Sequence, residues 1–260
     1  MLKILKYSFF DLFRSRWSLF YALFFLLFTG TLMVFSDDFS KVIISLMQAI
    51  LILCPLIATM FGVMYSYNSR EFTELLLAQP VKRTSIFWGQ YLGLGLSLTA
   101  SLIIGIGLPF AFYGIFQSSE IWNFLILLAD GIVLSLIFSA LGFWTAMKCE
   151  NRIKGFGAAM MLWLFFAVIY DGIFLFALSI FKDYPLENFA LATALLNPID
   201  LGRILVLLKL DISALMGFTG AVFNRFFGSG LGIFISAAVL IFWLTLPVYS
   251  IGYTAKSKDF

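Results

Sequence analysis

Histidine is missing altogether from these 260 residues, which excludes a Ser-His-Asp triad and any imidazole-ligated metal. Cysteine is scarce: Cys54 and Cys149 stand far apart with no CxxC spacing, so neither a zinc site nor a disulfide framework is indicated. No Gly-Lys dipeptide occurs, and with it goes the Gly-x-x-x-x-Gly-Lys-Ser/Thr phosphate loop. If ATP is used, another subunit binds it, and no cofactor is expected in this chain. Charge is sparse as well. Only 12% of residues are Asp, Glu, Lys or Arg, against roughly a quarter in soluble domains. The 17 basic residues are scattered rather than gathered into the stripe that a nucleic acid would need, so nucleic acid is excluded as a partner.

What is abundant is apolar surface, at 62% of residues and a mean hydropathy of +1.02. This is the composition of a polytopic, all-α membrane protein whose partner is the lipid bilayer, organised as one transmembrane domain over residues 1–260. A crossing takes roughly 20 predominantly apolar residues. Six runs qualify: Trp17 to Phe35, Val42 to Tyr67, Ile86 to Phe116, Ile121 to Met147, Gly155 to Phe181 and Gly228 to Tyr253. Six spans place both termini on one side. Lys3, Lys6, Arg14, Arg16, Arg70, Lys82, Arg83, Lys148, Arg152, Lys154, Lys256 and Lys258 share that side, against Lys41, Lys182, Arg203, Lys209 and Arg225 on the other. The basic excess marks the cytosolic face.

The first run lacks a small-x-small cleavage pattern and reads as a retained span rather than a signal peptide. Before it, Leu2, Leu5, Phe9 and Leu12/Phe13 recur at helical spacing beside lysines, predicting an interfacial amphipathic helix over 1–16. The third run holds Pro109, where a kink or early exit is expected, and small residues Gly89, Gly93, Ser97, Ser101 and Gly105 that permit close helix contact.

Residues 182–227 are too charged to cross and too apolar to be a floppy loop, so an extracytoplasmic helical segment is expected before the last span. Leu191 to Leu196 reads as a helix stopped at Asn197-Pro198, and Pro198 starts another with Leu201, Ile204, Leu205 and Leu208 on one apolar face. Residues 212–224 read as a re-entrant or surface-lying helix.

Two acids fall inside predicted spans, Asp130 and Asp171, at similar depth. Burying each costs on the order of 2.5–3.5 kcal/mol, which makes both candidates for lining a translocation path. The sequence offers no intramembrane Lys or Arg to pair with them, so the alternative is that each is protonated or capped by a hydroxyl. Asp37-Asp38 reads as a solvated span end, and Cys54, Met60 and Met64 read as packing rather than a soft-metal ladder. No metal site is expected.

The cytosolic gap at 68–85 is the richest in chemistry. Arg70, Glu71 and Glu74 lie near a helix start at Ser69, Leu75, Leu76 and Leu77 follow, and Pro80 stops the helix before Lys82 and Arg83. This order, with Ile86, Gly89 and Leu92-Gly93 beyond it, resembles the coupling helix and third-span entry of ABC-2 type transporter permeases, although Phe72-Thr73 replaces that family's usual Gly-Thr pair. LLNPIDLGRILVLL from Leu195 to Leu208 and GFTGAVF from Gly217 to Phe223 further resemble the NosY-like members, permeases of nitrous oxide reductase maturation. The resemblance implies an exporter subunit of a bacterial inner membrane and assigns ATPase contact to Arg70, Glu71, Glu74, Leu75, Leu76, Leu77 and Pro80. It implies a homodimer, a cytosolic NosF-like ATPase dimer that binds ATP and magnesium, and a periplasmic NosD-like partner docking on Asn197, Pro198, Asp200 and Arg203. The implied cargo is a sulfur species, or copper, for a copper-sulfide centre. An ABC-2 exporter of drugs or lipids and an intramembrane lipid-modifying enzyme using Asp130 and Asp171 are the alternative readings.

Overall fold

A computed structural model describes residues 1–36, 38–181, 187–210 and 230–257, and these are helical with no strand among them. Asp37, the re-entrant expectation at 212–224 and Lys258 lie outside the described residues. In chain order the helices are α1 (Leu2–Phe13), α2 (Arg16–Phe35), α3 (Phe39–Asn68), α4 (Arg70–Leu77), α5 (Arg83–Phe112), α6 (Ile121–Lys148), α7 (Arg152–Leu164), α8 (Tyr170–Ile180), α9 (Glu187–Leu196), α10 (Pro198–Lys209) and α11 (Gly230–Ser257). A single π turn, Phe165–Ile169, fuses α7 and α8 into one span. Among the described residues six helices are therefore long and apolar enough to cross a membrane, in the order the apolar runs predict.

Side-chain caps set several boundaries. Ser15 accepts from Ser18 N at the start of α2, Asp38 from Ser40 N at the start of α3, and Asn151 from Ile153 N at the start of α7. Asp38 is thus an N-cap, with Lys41 at 4.0 Å. The third span leaves the helix soon after Pro109: α5 stops at Phe112, and Gly114, at φ 82°, takes the left-handed conformation that ends it. Residues 113–116, counted within the third apolar run, fall in a turn and the short 3-10 helix Ile115–Gln117, beyond the end of α5.

The bundle is built on two close approaches. Along α3 and α6, glycines face backbone: a methyl group on Gly62 would sit 2.5 Å from the Ser139 carbonyl, and one on Gly142 would collide with Thr59 O. Along α5, the small-residue stripe seats the N-terminal helices. Gly89 and Gly93 receive Ile4 and Ser8 of α1, Ser18 Oγ of α2 lies 2.7 Å from Ser101 Oγ, and Gly105 meets the Ala22 carbonyl. The buried line of α1 is Ile4, Ser8 and Leu12, whereas Leu2 is 80% exposed. The buried face is rotated by one position from the hydrophobic spacing, because α1 packs on glycines that admit a serine as readily as a leucine.

Between the fifth and sixth spans, α9 and α10 meet at a bend of 112°. Asn197 caps α10 by accepting from Ile199 N, and Pro198 fills its first turn. The sequence predicts one apolar face on α10. The structure buries two: Ile199, Val206 and Leu207 join the main core, while Leu201 and Ile204 pack with Ala190 and Ala194 of α9. A helix buried around most of its girth belongs inside a bundle, and α10 reaches in against α6 and α3.

Candidate coupling helix and intramembrane carboxylates

The short helix α4 has an outer and an inner face. Arg70, Glu71, Glu74 and Leu75 are exposed, Leu75 by 68%, and Arg70 Nε contacts Glu74 Oε1 at 3.2 Å one turn on. Leu76 and Leu77 are half-buried. The helix ends at Leu77, so Pro80 lies in the exposed turn beyond it rather than at its last position. On the inner face Thr73 is buried, its hydroxyl donating to Ser69 O and accepting from Gln90 Nε2 of α5 at 2.7 Å. The Phe72 ring stacks on Tyr7 of α1 with centroids 4.8 Å apart. Just before α4, the Tyr67 hydroxyl donates to Cys149 O at 2.7 Å and Arg152 donates to Tyr67 O at 3.2 Å, tying the end of α3 to the α6–α7 connection. A force applied to the exposed side of α4 therefore passes to α5 through Thr73 and Gln90 and to α1 through Phe72 and Tyr7. Gln90 and Tyr67 were not singled out from sequence, and in the Phe72-Thr73 pair it is Phe72 that departs from the family pattern while Thr73 keeps its threonine.

The two membrane acids meet different fates. Asp171, in α8, lies 3.0 Å from Arg203 Nη1, and the same nitrogen lies 3.1 Å from Asp200 Oδ1. This corrects the expectation that no basic residue is available to pair: α10 carries Arg203 inward from a segment that charge counting had put outside. Asn197 Nδ2 bonds both Asp200 Oδ2 and Phe166 O, at 2.9 Å each. Phe166 belongs to the π turn, whose register shift leaves a carbonyl for a partner outside its own helix. Tyr170 donates to Thr193 O of α9 at 2.6 Å. The fifth span and the α9–α10 pair are thus sewn together by polar contacts.

Asp130, in α6, is 6% exposed, and neither carboxylate oxygen has a hydrogen-bond partner among the described residues. Gly202 of α10 lies directly against it, and any side chain there would strike both oxygens. Asp130 is nine residues into α6, roughly 13 Å along the axis, so α10 enters the bundle to that depth. Asn197, Pro198, Asp200 and Arg203, read in sequence as a docking surface for a periplasmic partner, turn inward instead: Asn197 and Pro198 are buried, and the charges of Asp200 and Arg203 are matched within the chain. The physical reason is that their apolar neighbours bury on both sides and draw the polar groups in with them. Cys54, buried in α3, accepts the Tyr21 hydroxyl at 3.3 Å.

A curated relative, the "Probable ABC transporter permease protein NosY" of Pseudomonas aeruginosa, is 27% identical over 220 residues, covering 78% of this chain and 80% of the relative. The chain is similar to an ABC transporter permease. No protein-family model matches it. The likeness to a permease supports a transport subunit rather than an enzyme, and six long apolar helices among the described residues support a multi-pass membrane protein.

Proposed function

We propose that this permease is the membrane half of an ABC exporter in which a cytosolic ATPase dimer grips α4 and drives a pair of these chains between inward and outward states. The reading includes a bacterial inner membrane with both termini in the cytoplasm. The observation that carries it is the two-sided character of α4: Glu71, Glu74 and Leu75 project outward while Thr73 is hydrogen-bonded to Gln90. Within the same proposal, the resemblance of residues 195–208 and 217–223 to NosY-like permeases favours a cargo serving nitrous oxide reductase maturation, a sulfur species or copper for a copper-sulfide centre, with a periplasmic accessory protein to receive it. That protein's contact surface would lie elsewhere than Asn197 and Pro198, which are buried. Asp130 is the stronger path-lining candidate, because Asp171 is held by Arg203 whereas both oxygens of Asp130 lack partners among the described residues. Asp130→Asn is expected to change transport while leaving ATPase binding intact, and unchanged transport would remove it from the path.

Leu75→Asp tests the coupling assignment. Leu75 is exposed, so the chain should reach the membrane at its normal level, but a charge in the contact should lower recovery of the ABC ATPase that co-purifies with the wild-type protein. Loss of one well-packed interface anchor is worth about 2 kcal/mol or more, a drop beyond tenfold. Full ATPase recovery together with full transport would reject α4 as the coupling element.

A further inference from the structure

The inner ends of α6 and α11 leave a groove of about 420 Å3 that none of the contacts above uses. One wall is Trp144, whose indole is fixed by donation from Nε1 to Thr254 Oγ1 at 3.2 Å. Lys148, in the last turn of α6, places its ammonium 4.1 Å from the Trp144 ring centroid, a cation–π position that holds the charge at the groove. Among the described residues, no carboxylate lines the groove and Lys148 forms no ion pair. The other wall is α11. Tyr249 and Tyr253 are 73% and 67% exposed, and deeper along the same helix Phe242 and Leu246 are exposed too. Positions 242, 246, 249 and 253 follow the i, i+4, i+7, i+11 spacing of a single helix face. One continuous stripe therefore runs from phenylalanine and leucine at membrane depth to tyrosines at the groove, where the Lys148 ammonium has no counter-charge among the described residues.

From this arrangement we infer that the groove binds an anionic phospholipid of the cytosolic leaflet, with its phosphate against Lys148 and the phenols of Tyr249 and Tyr253, and an acyl chain along Leu246 and Phe242. The sequence of chemistry along the stripe is that of a lipid molecule, apolar tail first and anionic head last. Tyrosine and tryptophan settle at the headgroup level, and a fixed cation selects negative heads. A soluble anion would use Lys148 but would have no use for the apolar half of the stripe. A second protein chain would be expected to bring an acid to Lys148.

Full-length protein from nanodiscs of equal phosphatidylglycerol and phosphatidylcholine, released into native mass spectrometry, reads the retained lipid. The wild type should keep phosphatidylglycerol in preference, and Lys148→Gln should reduce that retention about fivefold, the worth of one lysine near an anionic surface. Tyr253→Ala, at an exposed position, should reduce it without altering the fold, while Lys41→Gln at the opposite end should not. Undiminished phosphatidylglycerol in both groove variants would overturn the inference. So would displacement of the lipid by millimolar inorganic phosphate alone, which would mark a site for free anions.

Discussion

Arg203→Ala is expected to destabilise the protein by about 2–3 kcal/mol, less than the cost of breaking a fully buried ionic cluster because this one is partly exposed. The guanidinium nitrogen Nη1 serves Asp171 and Asp200 together, at 3.0 and 3.1 Å, and its loss leaves two carboxylates facing each other within the bundle. The side chains are partly shielded, 32% exposed for Arg203 and 28% for Asp171, so solvent takes over only part of the role. Thermal unfolding in detergent should show a marked fall for Arg203→Ala and a smaller one for the Asp171→Ala, Arg203→Ala double variant, in which only Asp200 remains to be neutralised. Equal losses in the two would mean that Arg203 acts through packing alone. Because α10 is held to the fifth span by this cluster, Arg203→Ala should also raise the accessibility of a cysteine introduced at Val206, which is now 1% exposed.

The spans were legible because twenty apolar residues in a row is a strong signal, and the described helices follow the six runs within a few residues at most ends. The small-residue stripe of α5 was legible for the same kind of reason, since glycine at Gly89, Gly93 and Gly105 leaves room that something must fill. The place of α10 was not. With twelve residues it is too short to register as a crossing, and Asp200, Arg203 and Lys209 argue locally for water. Only the three-dimensional match of Arg203 to Asp171, and of a bare Gly202 to Asp130, reveals that these polar groups are internal. The π turn was equally hidden, because Phe165–Ile169 has no proline or glycine to mark it. Of the candidate site residues, the exposed members of α4 could be read from charge and spacing. Their inner anchors, Thr73 and Gln90, could not, since a single buried hydrogen bond across 17 positions leaves no periodic trace.

Gly142→Leu should be the most damaging single change in the core of the bundle. The α3–α6 contact is reciprocal: Gly62 of α3 lies against Ser139 O and Phe143 N of α6, while Gly142 of α6 lies against Thr59 O of α3. Backbone atoms, unlike the end of a flexible side chain, cannot swing aside, so a leucine at Gly142 must push the helices apart. Inside a membrane there is no strong hydrophobic force to hold separated helices in register, and close backbone approach is itself a main source of association. Overpacking costs about 1–3 kcal/mol when a core can adjust, and the upper end is expected here. Separation would also open the seam where Ile50, Cys54 and Ala58 of α3 and Leu134 and Phe138 of α6 are buried. Gly142→Ala should fall in between, and Gly30→Leu, on α2 where no atom lies within 4 Å of the added carbon, should behave as wild type. The check is unfolding temperature and membrane yield for the three variants side by side. A wild-type profile for Gly142→Leu would mean that α3 and α6 do not meet through their glycines, and because α10 rests on both helices, the position of Gly202 against Asp130 would fall with that contact.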